Sequence, residues 1–512
     1  MDWWNDLWLK EGFATWADWN VWKRFTCEGL QAAFQLDSLR ASHAIDVDIK
    51  NGPDIDEIFD DISYLKGSSL VRMLDSYLGR DVFLEGAANY LRSFAYRNAV
   101  STDLWHHLSK ASNKDVGSFM DSWINQTGLP VLDIELKNGL IHLSQKRLLL
   151  AGDLSTTEED TWWIPLNLPQ SLGGMFKESH AKLKVDLEAL SLRDLAKVNQ
   201  HQTGFYKVNY SSDILAELAK EHDALTAEEK ICLVADLADL VVAGKRSLTD
   251  LMMLIEGFRT ETDHFVWLQI SKTLGLLTSN FSENAPLACG LLAFKRRLLE
   301  VAIAAIDWDL LPNENHVSMR RRALIIRMAG MAVHEKTVER ALQTFEDYVS
   351  GTFVHSSLLP AIFPVVSAHG KLSHYSTLKS LYLNAPSTSI DLGEVCLRAL
   401  TATSSREALD DYLSLLLSTD MQVSDLPIAA GALSTRHFLR SIFWKWLKEN
   451  WEEVLLKFDG SWPSLDHFLR QGLSGFAEEG LEEEVRVFFS EKKGDADSIG
   501  IGKSNGFRYR QR

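Results

Sequence analysis

The spacing of apolar residues changes twice along this chain, and that limits the folds open to it. From Val131 to Tyr210 the period is two. The run VLDIELKNGLIHLSQKRLLL alternates apolar and polar residues about Asn138-Gly139, the strongest short-range hairpin signal a sequence offers. WWIPLNL, HAKLKVDLE and GFYKVNY follow as further strands, so five or six short strands are expected over about eighty residues, as in a small β-sandwich. Trp162 and Trp163 are expected to serve packing, because adjacent strand residues face opposite ways. On both sides of this stretch the period is helical, and Gly128 and Pro130 mark the first change. From residue 211 to 490 helix follows helix: Thr226 and Glu229 make a capping box, Gly244 is a stop, and Ser247 opens the next element. Further blocks include FVWLQISKTLGLLTSNF, RRRALIIRMAGMAV, VERALQTFEDYVSG, REALDDYLSLLLS and LRSIFWKWLKENWEEVLLKF. No strict repeat is visible, which favours a degenerate helix-pair solenoid. The expected fold is mostly α with a small β-sandwich.

The opening residues, MDWWNDLWLKEGFATWADWNVWKR, form a tryptophan-rich helical pattern. At about 100° per residue, Trp8, Gly12, Thr15, Trp19 and Trp22 share one stripe and Glu11 falls on its edge. A carboxylate there needs something positive beside it, a Lys, an Arg or a metal ion. Helix capping or an ordinary ion pair is the structural alternative.

The run WWNDLWLKEGFATW resembles the segment that closes the zinc site of the gluzincin aminopeptidases, the family of puromycin-sensitive aminopeptidase and aminopeptidase N. In that family an H-E-x-x-H helix gives two imidazole ligands and a general base, and a W-L-N-E-G-F-A run gives the third ligand. The resemblance implies that Glu11 is that ligand, with Lys10 where the family more often has Asn. FDDISYLKGSSLVRML, residues 59–74, is similar to the family block F-D-x-I-S-Y-x-K-G. It implies that Tyr64 donates to the oxyanion of the tetrahedral intermediate and that Phe59 lines the pocket for the substrate's first side chain. Without the resemblance, Tyr64 reads as a core residue on the stripe of Gly67, Val71, Leu74 and Leu78. SFAYRNAVSTDLWHHLSKAS and FMDSWINQTGLPVL are similar to the closing helices of the same catalytic domain, and Ser101 to Asp103 reads as a helix start.

The resemblance implies four parts: 1–130, the C-terminal part of a thermolysin-like catalytic domain; 131–210, the β-sandwich; 211–490, the helical solenoid; and 491–512, a tail. The tail, rich in Gly, Ser and Asp, is expected to be disordered. Arg320, Arg321, Arg322 and Arg327 suit either a substrate carboxylate or, more simply, a solvated face paired with acids.

Counting back along the family spacer puts the second zinc histidine ahead of Met1. None of the fifteen histidines replaces it. His334-Glu335 begins the pattern but Val338 occupies the position of the second imidazole, and His106 and His107 point about 100° apart on a helix. The family's zinc is therefore expected to be absent from this polypeptide alone, which reads as an inactive fragment of a zinc aminopeptidase that releases N-terminal residues from peptides. The alternative is a non-catalytic peptide-binding or scaffold protein using the solenoid. With the family's first half absent, the tryptophan stripe and the Tyr64 helix face are expected to be exposed.

A net charge of −17 disfavours nucleic acid and anionic membranes as partners, while the resemblance implies peptide substrates. Four scattered cysteines make neither a disulfide framework nor a thiolate zinc site. No apolar run approaches twenty residues, so no membrane span is expected and the reading is cytoplasmic.

Overall fold

Asn138 and Gly139 take φ of 53° and 72° in the computed structural model, which describes residues 4–18, 22–49, 55, 58–150, 160–167, 174–184, 196–282, 284–309, 314–385, 390–474 and 481–492. Two left-handed residues in succession are what a type I′ hairpin turn needs. The turn joins β1 (Pro130–Lys137) to β2 (Leu140–Arg147) antiparallel, with Pro130 opposite Arg147 and Lys137 opposite Leu140. Beside them run β5 (His180–Lys184), antiparallel to β2, and β6 (Lys207–Tyr210), parallel to β1, giving the order β5-β2-β1-β6. A second, two-stranded sheet pairs β3 (Ile164–Pro165) with β4 (Met175–Phe176). The Gln145 amide on β2 reaches beside this sheet: it donates to the Trp162 carbonyl at 3.0 Å and accepts from the Trp162 N–H at 2.9 Å. Trp162 is fully buried, whereas Trp163 carries the Lys177 ammonium 3.3 Å from its ring centre, so the pair does divide between faces. Gly139→Val is expected to cost about 1–2 kcal/mol, the strain of a branched residue in the left-handed region, read as a shift in urea midpoint at constant m.

Seven helices precede the sheet among the described residues: α1 (Leu7–Asp18), α2 (Trp22–Cys27), α3 (Gly29–Asp37), α4 (Gly67–Leu78), α5 (Arg80–Ser93), α6 (Ser101–Ser112) and α7 (Val116–Ile124). Trp19 of the expected stripe lies outside the described residues. Trp8 corrects one expectation. It is 1% exposed and stacks on Trp105 of α6 at 6.1 Å between ring centres, and Gly12, Gly67, Val71, Leu74 and Leu78 are buried, so these residues are covered by the chain's own helices, while Thr15 and Trp22 are half-buried. Ser101 is the first helical residue, as expected of a helix start; the Asp103 carboxylate in the first turn accepts from the Val100 N–H at 3.0 Å.

After β6 come α8 (Ser212–Lys220), α9 (Ala227–Val242) and α10 (Leu248–Gly257). The capping box forms: the Thr226 N–H donates to Glu229 at 2.8 Å and the Glu229 N–H to the Thr226 hydroxyl at 3.3 Å. Lys207 ties β6 to α9. Its ammonium is fully buried, 3.1 Å from Asp236 and 2.9 Å from Asp239, and lies 4.4 Å from the Phe34 ring centre on α3. Burial opposes that charge, but Asp239 and Asp236 hold the amine above the ordinary lysine range. Arg72 of α4, stacked 4.6 Å from the Trp22 ring centre, donates to the carbonyls of His201 and Gln202 at 2.7 and 3.0 Å. Burial pulls its pKa down to about 10.

The described residues divide into two compact units that meet in sequence at Phe258 and Arg259. The second is helical: α11 (His264–Asn280), α12 (Ala285–Ala304), α13 (His316–Met331), α14 (Glu335–Val349), α15 (Leu359–His369), α16 (Leu372–Leu383), α17 (Ile390–Leu400), α18 (Arg406–Leu417), α19 (Leu426–Ser434), α20 (His437–Glu449), α21 (Trp451–Phe458), α22 (Trp462–Gly472) and α23 (Leu481–Glu491). From α11 to α17 the main packing runs to the next helix or the next but one, whereas α19 packs chiefly on α22, three helices on. LRSIFWKWLKENWEEVLLKF is two helices rather than one block, divided at Asn450, whose side-chain amide donates to the Trp446 carbonyl at 2.8 Å. Arg322 is buried against Glu314 at 2.6 Å, and Arg321 donates to the Thr262 carbonyl at the end of the preceding loop, so both have partners within this unit. Of the tail expected from residue 491, Glu491 is the last residue of α23, and residues 493–512 lie outside the described residues.

Candidate active site

Two glycines bring the resemblance's two polar residues together. A Cβ on Gly12 of α1 would stand 2.8 Å from the Gly67 carbonyl carbon, and one on Gly67 would stand 3.2 Å from the Trp8 carbonyl oxygen. The helix backbones therefore touch where only hydrogen fits. One residue before Gly12 lies Glu11; three before Gly67 lies Tyr64. The Tyr64 phenol lies within electrostatic reach of the Glu11 carboxylate. Burial, and then the Glu11 charge, push the phenol above its ordinary pKa, so at neutral pH it stays a donor.

Tyr64 does not sit in an ordinary helix. Ile62–Lys66 forms a π turn, in which the Gly67 N–H reaches back to the Ile62 carbonyl. Such turns interrupt α-helices at functional sites, because the added residue re-aims the side chain. Phe59, 46% exposed, lies 6.4 Å from Tyr64 and 6.2 Å from Trp4 between ring centres. Glu11 keeps 16% of its side-chain surface, with the Lys10 ammonium 3.3 Å away. That pair is on the surface and contributes little.

Four residues beside Tyr64 were not among the sequence candidates. Lys66, fully buried, is 3.0 Å from Asp37 and donates to the Gly128 carbonyl at 3.3 Å, while the Gly128 N–H donates to Asp37 at 3.1 Å. Asp60 accepts from the N–H groups of Ile62 and Ser63 at 2.9 and 3.2 Å and faces His43 at 3.0 Å. The only sequence signal was the place of Asp60 and Lys66 near the two ends of the FDDISYLKG block; Asp37 and His43 lie outside it. His106 and His107 stack edge to face 5.7 Å apart, and His334 bonds Thr337 at 2.7 Å as α14 begins. Among the described residues no three His, Cys, Asp or Glu side chains converge as a metal would require. One carboxylate beside a phenol and a lysine does not by itself fit zinc, which takes three protein ligands in a catalytic site.

Residues 1–123 match the peptidase family M1 domain, and residues 195–501 match the ERAP1-like C-terminal domain. Those matches define the class, a peptidase domain joined to a helical one. The chain belongs to the M1 zinc aminopeptidase family. It is 32% identical to the alanine/arginine aminopeptidase of Saccharomyces cerevisiae over 513 residues, covering 96% of this chain and 59% of that protein. It is 31% identical to aminopeptidase 2 of Candida albicans and to aminopeptidase M1-A of Oryza sativa subsp. japonica, covering 96% of this chain in each case and 55% and 58% of those proteins. The chain thus spans less than two thirds of the length of these relatives. No described helix is long and apolar enough to cross a membrane. All four cysteines are free.

Proposed function

We propose that these residues serve a zinc aminopeptidase that releases N-terminal residues from peptides, supplying one ligand and the oxyanion donor of its site. The observation that carries this reading is the Gly12–Gly67 backbone crossing, which brings Tyr64 and Glu11 together so that burial and then the Glu11 charge raise the phenol's pKa. A phenol that stays protonated and is held by a rigid turn meets the negative charge that develops on a peptide carbonyl oxygen, and such a donor lowers the barrier by about 3–4 kcal/mol. Phe59 walls the adjoining pocket. The 512 residues contain no H-E-x-x-H, so this reading assigns the two imidazole ligands to another polypeptide segment and holds the chain alone to be free of zinc and inactive. The same fact supports the second reading, a non-catalytic peptide-binding protein using the helical second unit as a solenoid. The four-part division given above and a cytoplasmic location remain part of the proposal.

The test joins this chain to the N-terminal residues of the yeast alanine/arginine aminopeptidase that it does not match. The chimera is expected to bind one zinc and to cleave an aminoacyl reporter, with Glu11→Ala losing the metal. Tyr64→Phe is expected to lower kcat about 10²- to 10³-fold with little change in KM. Full zinc binding by Glu11→Ala, or stoichiometric zinc with cleavage by the 512-residue chain alone, refutes the assignment.

A further inference from the structure

One short segment grips the Tyr64 turn at both ends. Asp37, the last residue of α3, pairs with Lys66 at the far end, both side chains being fully buried. His43 faces Asp60 at the near end. The remaining Asp60 oxygen receives the Ile62 and Ser63 N–H groups, so each grip acts on the backbone that carries Tyr64. Ser42 adds a bond to Asp37 at 2.9 Å.

The neighbours of the His43 ring fix its charge. Nδ1 lies 2.7 Å from the Ala44 carbonyl oxygen, which only accepts, and Nε2 lies 3.0 Å from a carboxylate oxygen. A neutral imidazole has one N–H and would leave one of these contacts acceptor against acceptor. The imidazolium satisfies both.

We infer that His43 is a positioning residue for Tyr64, acting through Asp60, with the Asp37–Lys66 pair as its counterpart at the other end of the turn. The assignment rests on the reading of Tyr64 as oxyanion donor for its purpose, while its geometry is measured independently. A π turn replaces good helix bonds with poorer ones and depends on such external holds. The charged groups facing the ring are Asp60 and Lys66. Burial lowers the pKa of His43, but the bond and charge of Asp60 together with the Ala44 carbonyl outweigh burial and the opposing Lys66, leaving it raised. A raised folded-state pKa means that the hold is complete below about pH 6.5 and is lost as pH rises through the folded value.

Hydrogen exchange of the full 512-residue chain, read by mass spectrometry at about pH 6 and about pH 8.5 and corrected for intrinsic rates, tests this. The ¹³Cζ resonance of Tyr64, assigned with Tyr64→Phe, gives the spectroscopic signature. His43→Ala is expected to speed exchange of amides 62–67 about tenfold or more relative to those of α6, the worth of one charge-assisted hydrogen bond, and to move the Tyr64 resonance. His43→Lys keeps a cation opposite Asp60. It is expected to restore both signals and to abolish their pH dependence. An unmoved turn and resonance in His43→Ala, exchange that rises equally through the whole first unit, or no rescue by lysine overturns the inference. Failure of the oxyanion reading looks different: the Tyr64→Phe chimera keeps its kcat while the His43 effects persist.

Discussion

Replacing Lys207 by methionine is expected to destabilise the first unit by about 3–5 kcal/mol, the largest single-residue loss anticipated in this protein. Methionine is close to lysine in size and keeps the buried position beside Phe34, so packing is largely kept. What remains is two carboxylates, Asp236 and Asp239, that lose the ammonium 3.1 and 2.9 Å away. Asp236 also accepts the Val208 N–H at 3.0 Å and cannot turn to solvent without breaking the junction between β6 and α9. Its carboxyl pKa is already raised by burial, and without Lys207 it is left to protonate at a cost. Adding Asp236→Asn and Asp239→Asn to Lys207→Met is expected to recover most of the loss, because amides carry no charge to desolvate. Urea denaturation followed by far-UV circular dichroism, fitted with two transitions for two units, reads both effects. A loss under about 1 kcal/mol in the single variant would mean that water already reaches the cluster.

Gly12→Ala is the second large effect. In a helix interior this change ordinarily gains about 1 kcal/mol from propensity, so a loss here is diagnostic of contact. The added methyl meets backbone at 2.8 Å, not a flexible side-chain tip, and α1 must move off the π turn. An overall loss of about 1–3 kcal/mol is expected, together with separation of Glu11 from Tyr64. Gly67→Ala is expected to cost less, since its nearest contact is 3.2 Å. The order of the two urea midpoints checks the geometry: if Gly67→Ala proves the more damaging, the crossing has been assigned to the wrong face. A crystal structure of Gly12→Ala would show whether the phenol still reaches the carboxylate.

Much of the local structure is legible because local chemistry determines it. Asn138-Gly139 can enter the left-handed region, so the hairpin and its register follow from two residues and the alternation beside them. Thr226 and Glu229 satisfy each other's backbone N–H groups, so the start of α9 is written within four residues. Where a signal concerned more than one element, legibility failed. The run through Trp444 and Trp451 carries apolar residues on both sides of Asn450, and periodicity does not reveal that the chain turns there into a second helix. Trp8 reads as a residue in need of a missing partner, yet Trp105, far along the chain, already covers it.

The site divides in the same way. Glu11, Phe59 and Tyr64 stand out in the sequence because their motifs carry a resemblance. Asp37, His43, Asp60 and Lys66 do not, because an ion pair has no sequence period and either partner alone looks like a surface charge. The order of residues by itself determined the element types, the turn chemistry and the family to which the chain belongs. Only tertiary structure decided that Gly12 meets Gly67, that one segment holds both ends of the Tyr64 turn, and that Lys207 is dry. Those are contacts between distant parts of the chain, fixed by which faces share a core, and short-range preference carries no information about them.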